Sequence, residues 1–262
     1  MAYKIIDAHA HIYPAAIAHK AVAAIGDFYD IPMHGPGTPE GLLERGSTIG
    51  VERYLVHSVA TTPAQVVSIN NFIHAQTQQH PEFIGFATLH PLMENLEEEV
   101  DRIISLGLRG VKLHPDFQKF QLDSPEALRL FRCIAGRLPV LLHTGDVRYD
   151  FSGPQRMAAA LDAVPDLTAI AAHFGGYSQW QDVRAHLIGR DVYMDTSSSL
   201  TCLEPAEAVA MIRDHGVEKF LFGTDYPMWD HDAELARFLA LPLTEEERQA
   251  ILYGNAARLL KL

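Results

Sequence analysis

Short runs rich in β-branched and aromatic residues alternate with helical patterns from one end of this chain to the other. That alternation is what builds a parallel sheet, because each strand needs a crossover before the next one can run beside it. Eight strand candidates stand out: 4–8, 53–57, 83–89, 110–114, 140–143, 168–172, 192–195 and 220–224. The segments between them carry helix ends. Thr62-Pro63, Ser124-Pro125 and Gly153-Pro154 place proline where a first turn tolerates it, with Thr62 and Ser124 as N-caps. Thr244 to Glu247 reads as a capping box, and Leu96, Val100, Ile103 and Ile104 share one helical face that ends at Gly107. Eight such units in 262 residues fit a single (β/α)8 TIM barrel spanning 1–262. An open doubly wound sheet more often has about five to seven strands.

Composition narrows the partners. A formal charge of −12 repels polyphosphate, and no basic stripe with interleaved aromatics is present, so nucleic acid is not expected. No apolar run is long enough to span a bilayer and no leader precedes Ile5, which predicts a soluble cytoplasmic protein with a small-molecule substrate. Cys133 and Cys202 fall in no CxxC pattern and read as buried fillers. One stretch breaks the rhythm. Residues 12–40 contain MHGPGTPE and little long-period hydrophobicity, and a connection of that length reads as a partly helical lid after the first strand.

In such a barrel the chemistry sits at the C-terminal ends of the strands. The candidates there are His9 and His11 on the first strand, Lys112 and His114 on the fourth, and His143 on the fifth. His173, Asp195 and Asp225 close the sixth, seventh and eighth. Residues two apart on a strand share a face with Cα atoms roughly 6.5–7 Å apart. Both imidazoles can then close on one ion at about 2.0–2.1 Å. His9 and His11 with His143 and Asp225 give three nitrogens and a carboxylate, a donor set for catalytic Zn²⁺ that also serves Mn²⁺ or Co²⁺.

His173 is the candidate for proton transfer, its alternatives being a further ligand or a core histidine. Lys112 has three readings: holding a substrate carboxylate, bridging a second metal once carboxylated, or reaching solvent at the rim. His114 is grouped with it, and Arg148, after the fifth strand, is a candidate anion binder or a solvated arginine. His57 and His90 close strands as pocket or packing residues. His19, His34, His74, His80, His186, His215 and His231 are expected at the surface.

The ordered set IIDAHAHIYP, GVKLHP, VLLHTGD, AAHFGG, LFGTDYPM and ILYGNAARLLKL runs nearly end to end and resembles the amidohydrolase superfamily. The likeness is to its amidohydrolase-related branch, that of aminocarboxymuconate-semialdehyde decarboxylase and related metal-dependent hydrolases. The resemblance implies a mononuclear metal, usually zinc, on His9, His11, His143 and Asp225. It makes His173 the acid/base beside the metal, Asp225 a proton acceptor in hydrolytic members, and the protein a homodimer. Two features depart from the branch. The chain is short for the decarboxylases, and their substrate arginines have no clear counterpart; Arg45, in LLERG, fits an exposed helix face. A TatD-type nuclease expects a glutamate on the fourth strand, where Lys112 and His114 stand. The leading expectation is a hydrolase of a small carboxylate-bearing ester, lactone or amide. Non-oxidative decarboxylation of an unsaturated or aromatic acid is the alternative.

Overall fold

Eight parallel strands pair in the order of the sequence. A computed structural model describes residues 3–262 and places β1 at Ile5–His11, β2 at Val51–His57, β3 at Phe83–Thr88 and β4 at Gly110–Leu113. β5 is Val140–Leu142, β6 Ala169–Ala171, β7 Tyr193–Asp195 and β8 Phe220–Leu221. The ring closes between β8 and β1. Ala8 N donates to Phe222 O at 2.8 Å, His11 N to Tyr226 O at 2.7 Å, and Asp225 N to His9 O at 2.8 Å. β8 is shorter than the expected 220–224 because the chain turns early, with Asp225 at a φ of 59°. Gly223 permits the approach to β1: a Cβ there would lie 2.9 Å from the His9 Cβ.

The wall sorts its side chains by the two-residue period. Ile6, Ala8, Leu55, Ile84, Phe86, Leu141, Ile170, Ala172 and Leu221 fill the barrel interior as one apolar cluster, plugged from below by Ala256 and Leu260. Continuing the inward positions up β2, β4, β5 and β7 reaches His57, Lys112, His143 and Asp195, so the top layer of the same lumen is polar. On β1 the period breaks. Ala8 packs in the inner cluster, Ala10 in the outer one, and the β1–β2 register shifts between Asp7 and Ala10. That irregularity flips the strand's phase, so His9 and His11 both face the lumen above Ala8.

The 12–40 segment holds helix α1, Ala15–Tyr29, followed by helix α2, Pro39–Ser47, capped by Thr38. α1 buries only Ala18, so little apolar area fastens it. Its C-terminal end is pinned instead by polar contacts from Tyr29 and by Arg148, whose Nη1 donates to Phe28 O at 2.6 Å. The capping box at Thr244 forms, as does the Ser124 cap, whereas Thr62 makes no side-chain cap and its N–H donates to Gln65 Oε1 at 3.1 Å.

Three expectations need correction. Cys202 is exposed, because it sits in the turns after β7 and not in the core. His215 is buried, with Nε2 on Val192 O at 2.8 Å, because it ends a helix that packs on the sheet. His231 is fully buried, because it starts the helix behind β1 and β8 and reaches Asp7 Oδ2 at 3.1 Å. Ile104, grouped with the buried face of its helix, lies at the edge of that face and is 37% exposed. No helix among the described residues is long and apolar enough to cross a membrane.

Candidate metal centre

Around the axis at the C-terminal ends, His9, His11, Lys112, His114, His143, His173 and Asp225 line one cavity of about 20 Å³. Ile25, Tyr29 and Met33 roof it from α1 and the segment that follows. That space is close to the volume of a single water or ion. Two larger hollows, about 710 Å³ beside α1 and about 770 Å³ below the N-terminal strand ends, are lined by none of these histidines, nor by Lys112 or Asp225.

Hydrogen bonds from behind decide which nitrogen each imidazole offers. Asp195 is an acceptor only, so His9 Nδ1–H donates to its Oδ2 at 2.8 Å and leaves the Nε2 lone pair facing inward. Asp195 Oδ1 takes the Ser197 hydroxyl proton at 2.5 Å, so Ser197 Oγ accepts from His173 Nδ1–H at 2.9 Å. The His173 Nε2 lone pair then also faces the cavity. His143 points Nε2 at Asp116 Oδ2, 3.5 Å away, and Nδ1 at His173 Nε2, 3.0 Å away. With His173 Nε2 unprotonated, that 3.0 Å contact is a hydrogen bond donated by His143 Nδ1–H.

The carboxylate completes the set. Asp225 Oδ1 lies 3.3 Å from His9 Nε2 and 3.5 Å from His11 Nε2. Its Oδ2 accepts from Ser198 Oγ at 2.6 Å, and Trp229 Nε1 donates to that hydroxyl at 2.9 Å. His173, Ser198 and Asp225 hold left-handed φ values of 62°, 54° and 59°, a backbone cost that non-glycine residues bear where the surroundings over-determine them. A divalent transition ion suits this mixed set of imidazole and carboxylate donors: His9, His173 and Asp225 lie close together, as do His9, His11 and His57, whereas His143 falls in a separate close group.

Lys112 is fully buried, and its Nζ lies 3.1 Å from His9 Nε2, a cation already seated beside the ligand set. Burial pushes it down to about 8, against the pull of Asp225 and Asp195. Burial likewise pushes His11 and His173 down to about 4, and holds His57, His114 and His143 well below the usual histidine range. Burial alone would raise the Asp225 carboxyl, yet His9, His11 and His173 hold it well below the usual range. Burial thus favours the neutral imidazole at His11, His57, His114, His143 and His173.

His114, Asp116 and His143 form the third close group of possible ligands. Its geometry argues against an ion. The rings of His114 and His143 stack in parallel, 3.9 Å apart at 8°, so their in-plane lone pairs run side by side and do not converge. His114 also uses both nitrogens, Nδ1 on Phe117 N at 3.4 Å and Nε2 on the Tyr29 hydroxyl at 2.9 Å.

Of the residues singled out in the sequence, Arg148, Asp195, Arg45, His57 and His90 do not line the cavity, and Arg148 is turned to another task. Its guanidinium is held by Asp146, with Nη2 on Oδ2 at 2.7 Å, and lies over Phe28 with 4.6 Å to the ring centre. Arg45 pairs with Asp230 at the surface. His57 packs edge-on against His11 with 4.3 Å between ring centres, and both its nitrogens are buried without a partner. His90 is buried and accepts from Leu92 N at 3.2 Å.

Sequence reading passed over the supporting residues. Asp7 accepts from Thr224 Oγ1 at 2.6 Å and His9 N at 3.1 Å, and its place two residues before His9 was the available signal. Ser197 and Ser198 sit in the polar run DTSSSL after β7, which marked a loop at the mouth. Nothing in the sequence marked Trp229, Asp116 or Tyr29, which join the site through tertiary packing.

The amidohydrolase family model matches residues 6–262. No curated protein matches. Among solved structures, 5-carboxyvanillate decarboxylase from Sphingomonas paucimobilis is similar, with a TM-score of 0.75, 17% identity and 99% of each chain covered. A dihydroxybenzoic acid decarboxylase from Polaromonas sp. JS666, with bound manganese, gives 0.70 and 19% identity over 99% of this chain and 97% of that one. A putative 2-pyrone-4,6-dicarboxylic acid hydrolase from Pseudomonas putida gives 0.68 and 19% identity over 100% and 98%. With the barrel, its ligand cluster and a family match over almost the whole length, this chain belongs to the amidohydrolase family.

Proposed function

We propose that the protein is a metal-dependent carboxy-lyase, removing CO₂ without oxidation from a small aromatic or unsaturated acid. The observation that carries this reading is Lys112, the one lysine or arginine lining the cavity, buried with its Nζ 3.1 Å from His9 Nε2 and so placed to hold a substrate carboxylate beside the histidines. Hydrolysis would ask Asp225 to accept a proton, whereas its Oδ2 already accepts from Ser198 Oγ at 2.6 Å. The decarboxylases among the similar structures support the same choice.

His9, His11, His143 and Asp225 would hold the ion. When bound, it draws electron density from the substrate oxygens it holds. The donor set serves zinc, manganese and cobalt alike. Lys112 pairs with the substrate carboxylate and fixes it against the ligand cluster. The bond to the carboxyl carbon breaks heterolytically, CO₂ leaves, and the electron pair stays on the ring or vinyl carbon, which takes one proton. His173 supplies that proton. Ser197 fixes its Nδ1, so Nε2 is the nitrogen aimed into the cavity. Burial disfavours its charged form, and an anionic substrate beside it offsets that penalty.

The experiment supplies metal-loaded protein with salicylates and unsaturated acids in D₂O and in ¹⁸O-water. CO₂ should appear in step with a product carrying one deuterium at the vacated carbon. An ¹⁸O-labelled acid or alcohol formed without CO₂ would overturn the reading in favour of hydrolysis.

A further inference from the structure

A second hollow of about 320 Å³ adjoins the ligand cavity. It runs between α1 and the loop after β2, and His11, Ile25 and Phe117 line both spaces, so the two share a wall. The rest of its lining is apolar or uncharged, from Ala24 and Phe28 on α1 to Val59 and Thr61 across from them. No lysine, arginine, aspartate or glutamate faces it. In the ligand cavity itself Lys112 is the one lysine or arginine, and Arg148 is held by Asp146 outside both.

We infer that this cleft takes the uncharged apolar body of the substrate, so that the enzyme acts on monocarboxylates and rejects acids with a second carboxylate at that end. The inference rests on the carboxy-lyase reading for the direction in which the substrate lies. Its physical basis is separate. One cation and one metal would accommodate one acidic head, and a second carboxylate in the cleft would lose water and meet no cation in return, only neutral groups such as the Tyr13 and Thr61 hydroxyls. An alkyl or aryl group there would instead bury area against Ile25, Phe28 and Phe117. The Phe28 and Phe117 rings meet edge to face with 4.6 Å between centres, giving a flat substituent an aromatic wall.

Calorimetric titration of the metal-loaded protein tests this without turnover. The probes are salicylate and salicylates bearing propyl or carboxyl at the same ring position, taken around the ring. At one ring position or more, propyl should tighten binding about tenfold over salicylate, and carboxyl should weaken it by about tenfold or more. Ala24→Trp, which fills the cleft from α1, should cancel the propyl gain. Thr61→Lys, which places a cation there, should restore binding of the diacid. Carboxyl derivatives that bind the natural protein as tightly as propyl ones, or a propyl gain that survives Ala24→Trp, would overturn the inference. So would failure of every monoacid to bind. Decarboxylation is read separately as CO₂. A propyl preference without CO₂ release sinks the reaction and leaves the cleft, whereas CO₂ release from mono- and diacid alike sinks the cleft and leaves the reaction.

Discussion

The two sides of the ligand cavity are built differently. On the β1, β7 and β8 side most groups are held from behind: His9 by Asp195, Asp225 by Ser198 and Trp229, and β1 itself by Asp7, Thr224 and His231, while His11 Nδ1 is buried without a partner. On the β4 and β5 side the contacts are looser. His143 Nε2 and Asp116 Oδ1 are buried without a hydrogen-bond partner, and His114 leans on Tyr29 from a thinly packed helix. A pre-set cradle on one wall and an adaptable one on the other suit a site that fixes an ion and then closes on an organic acid. The ion needs ligands placed to a fraction of an ångström; the acid needs a wall that gives.

The largest effects should fall on the tight wall. His9→Ala or Asp225→Ala removes a ligand, so metal content measured by mass spectrometry should fall below stoichiometric and turnover should drop on the order of 10³-fold. An equal loss from His114→Ala would erase the contrast between the walls. Asp7→Ala leaves His231 and Thr224 without a buried partner and should cost about 3–5 kcal/mol in denaturant unfolding. Asp195→Asn keeps an acceptor but weakens the charge behind His9, and metal affinity should fall roughly 10–100-fold. A matching loss in Asp116→Asn would show that His143 is held as firmly as His9.

The smallest effect concerns pH. Glu234, one turn after His231, is pushed up to about 7 by burial, against its ion pair with Arg237. A carboxyl with a raised folded pKa binds its proton more readily in the native state. Its contribution to stability is full below about pH 4.5 and is lost as pH rises through about 7. Glu234→Gln should flatten that slope by about 2 kcal/mol, a discounted figure because the Arg237 side chain is 34% exposed. Melting curves from pH 4 to pH 8 measure it, and an unchanged slope would remove Glu234 from the account.

The barrel and the inward histidines were legible because strand periodicity and chain order carry them. Eight β-rich runs give the ring, and polar residues at the ends of apolar runs give the lumen's top layer. What lay outside the sequence's reach was tertiary. The β1 irregularity that turns both His9 and His11 inward depends on pairing with β2 and β8. The surface assignment of His231 failed because helix position alone does not show which strand lies behind it. Arg148 looked free in its loop, but Asp146, two residues earlier, and α1 take its charge and its plane. The preference for hydrolysis came from motifs that both reactions share, and the proposed carboxy-lyase reading rests on the placement of Lys112 and on the similar decarboxylases.

Anomalous diffraction from crystals grown with Mn²⁺, at wavelengths on either side of its absorption edge, tests the central claim most directly. The account predicts a single peak at bonding distance from His9 Nε2, His11 Nε2 and Asp225 Oδ1, on the side of His143 Nδ1, with Lys112 Nζ withdrawn from His9. A peak between His114 and Asp116, or none within reach of His9, would contradict it.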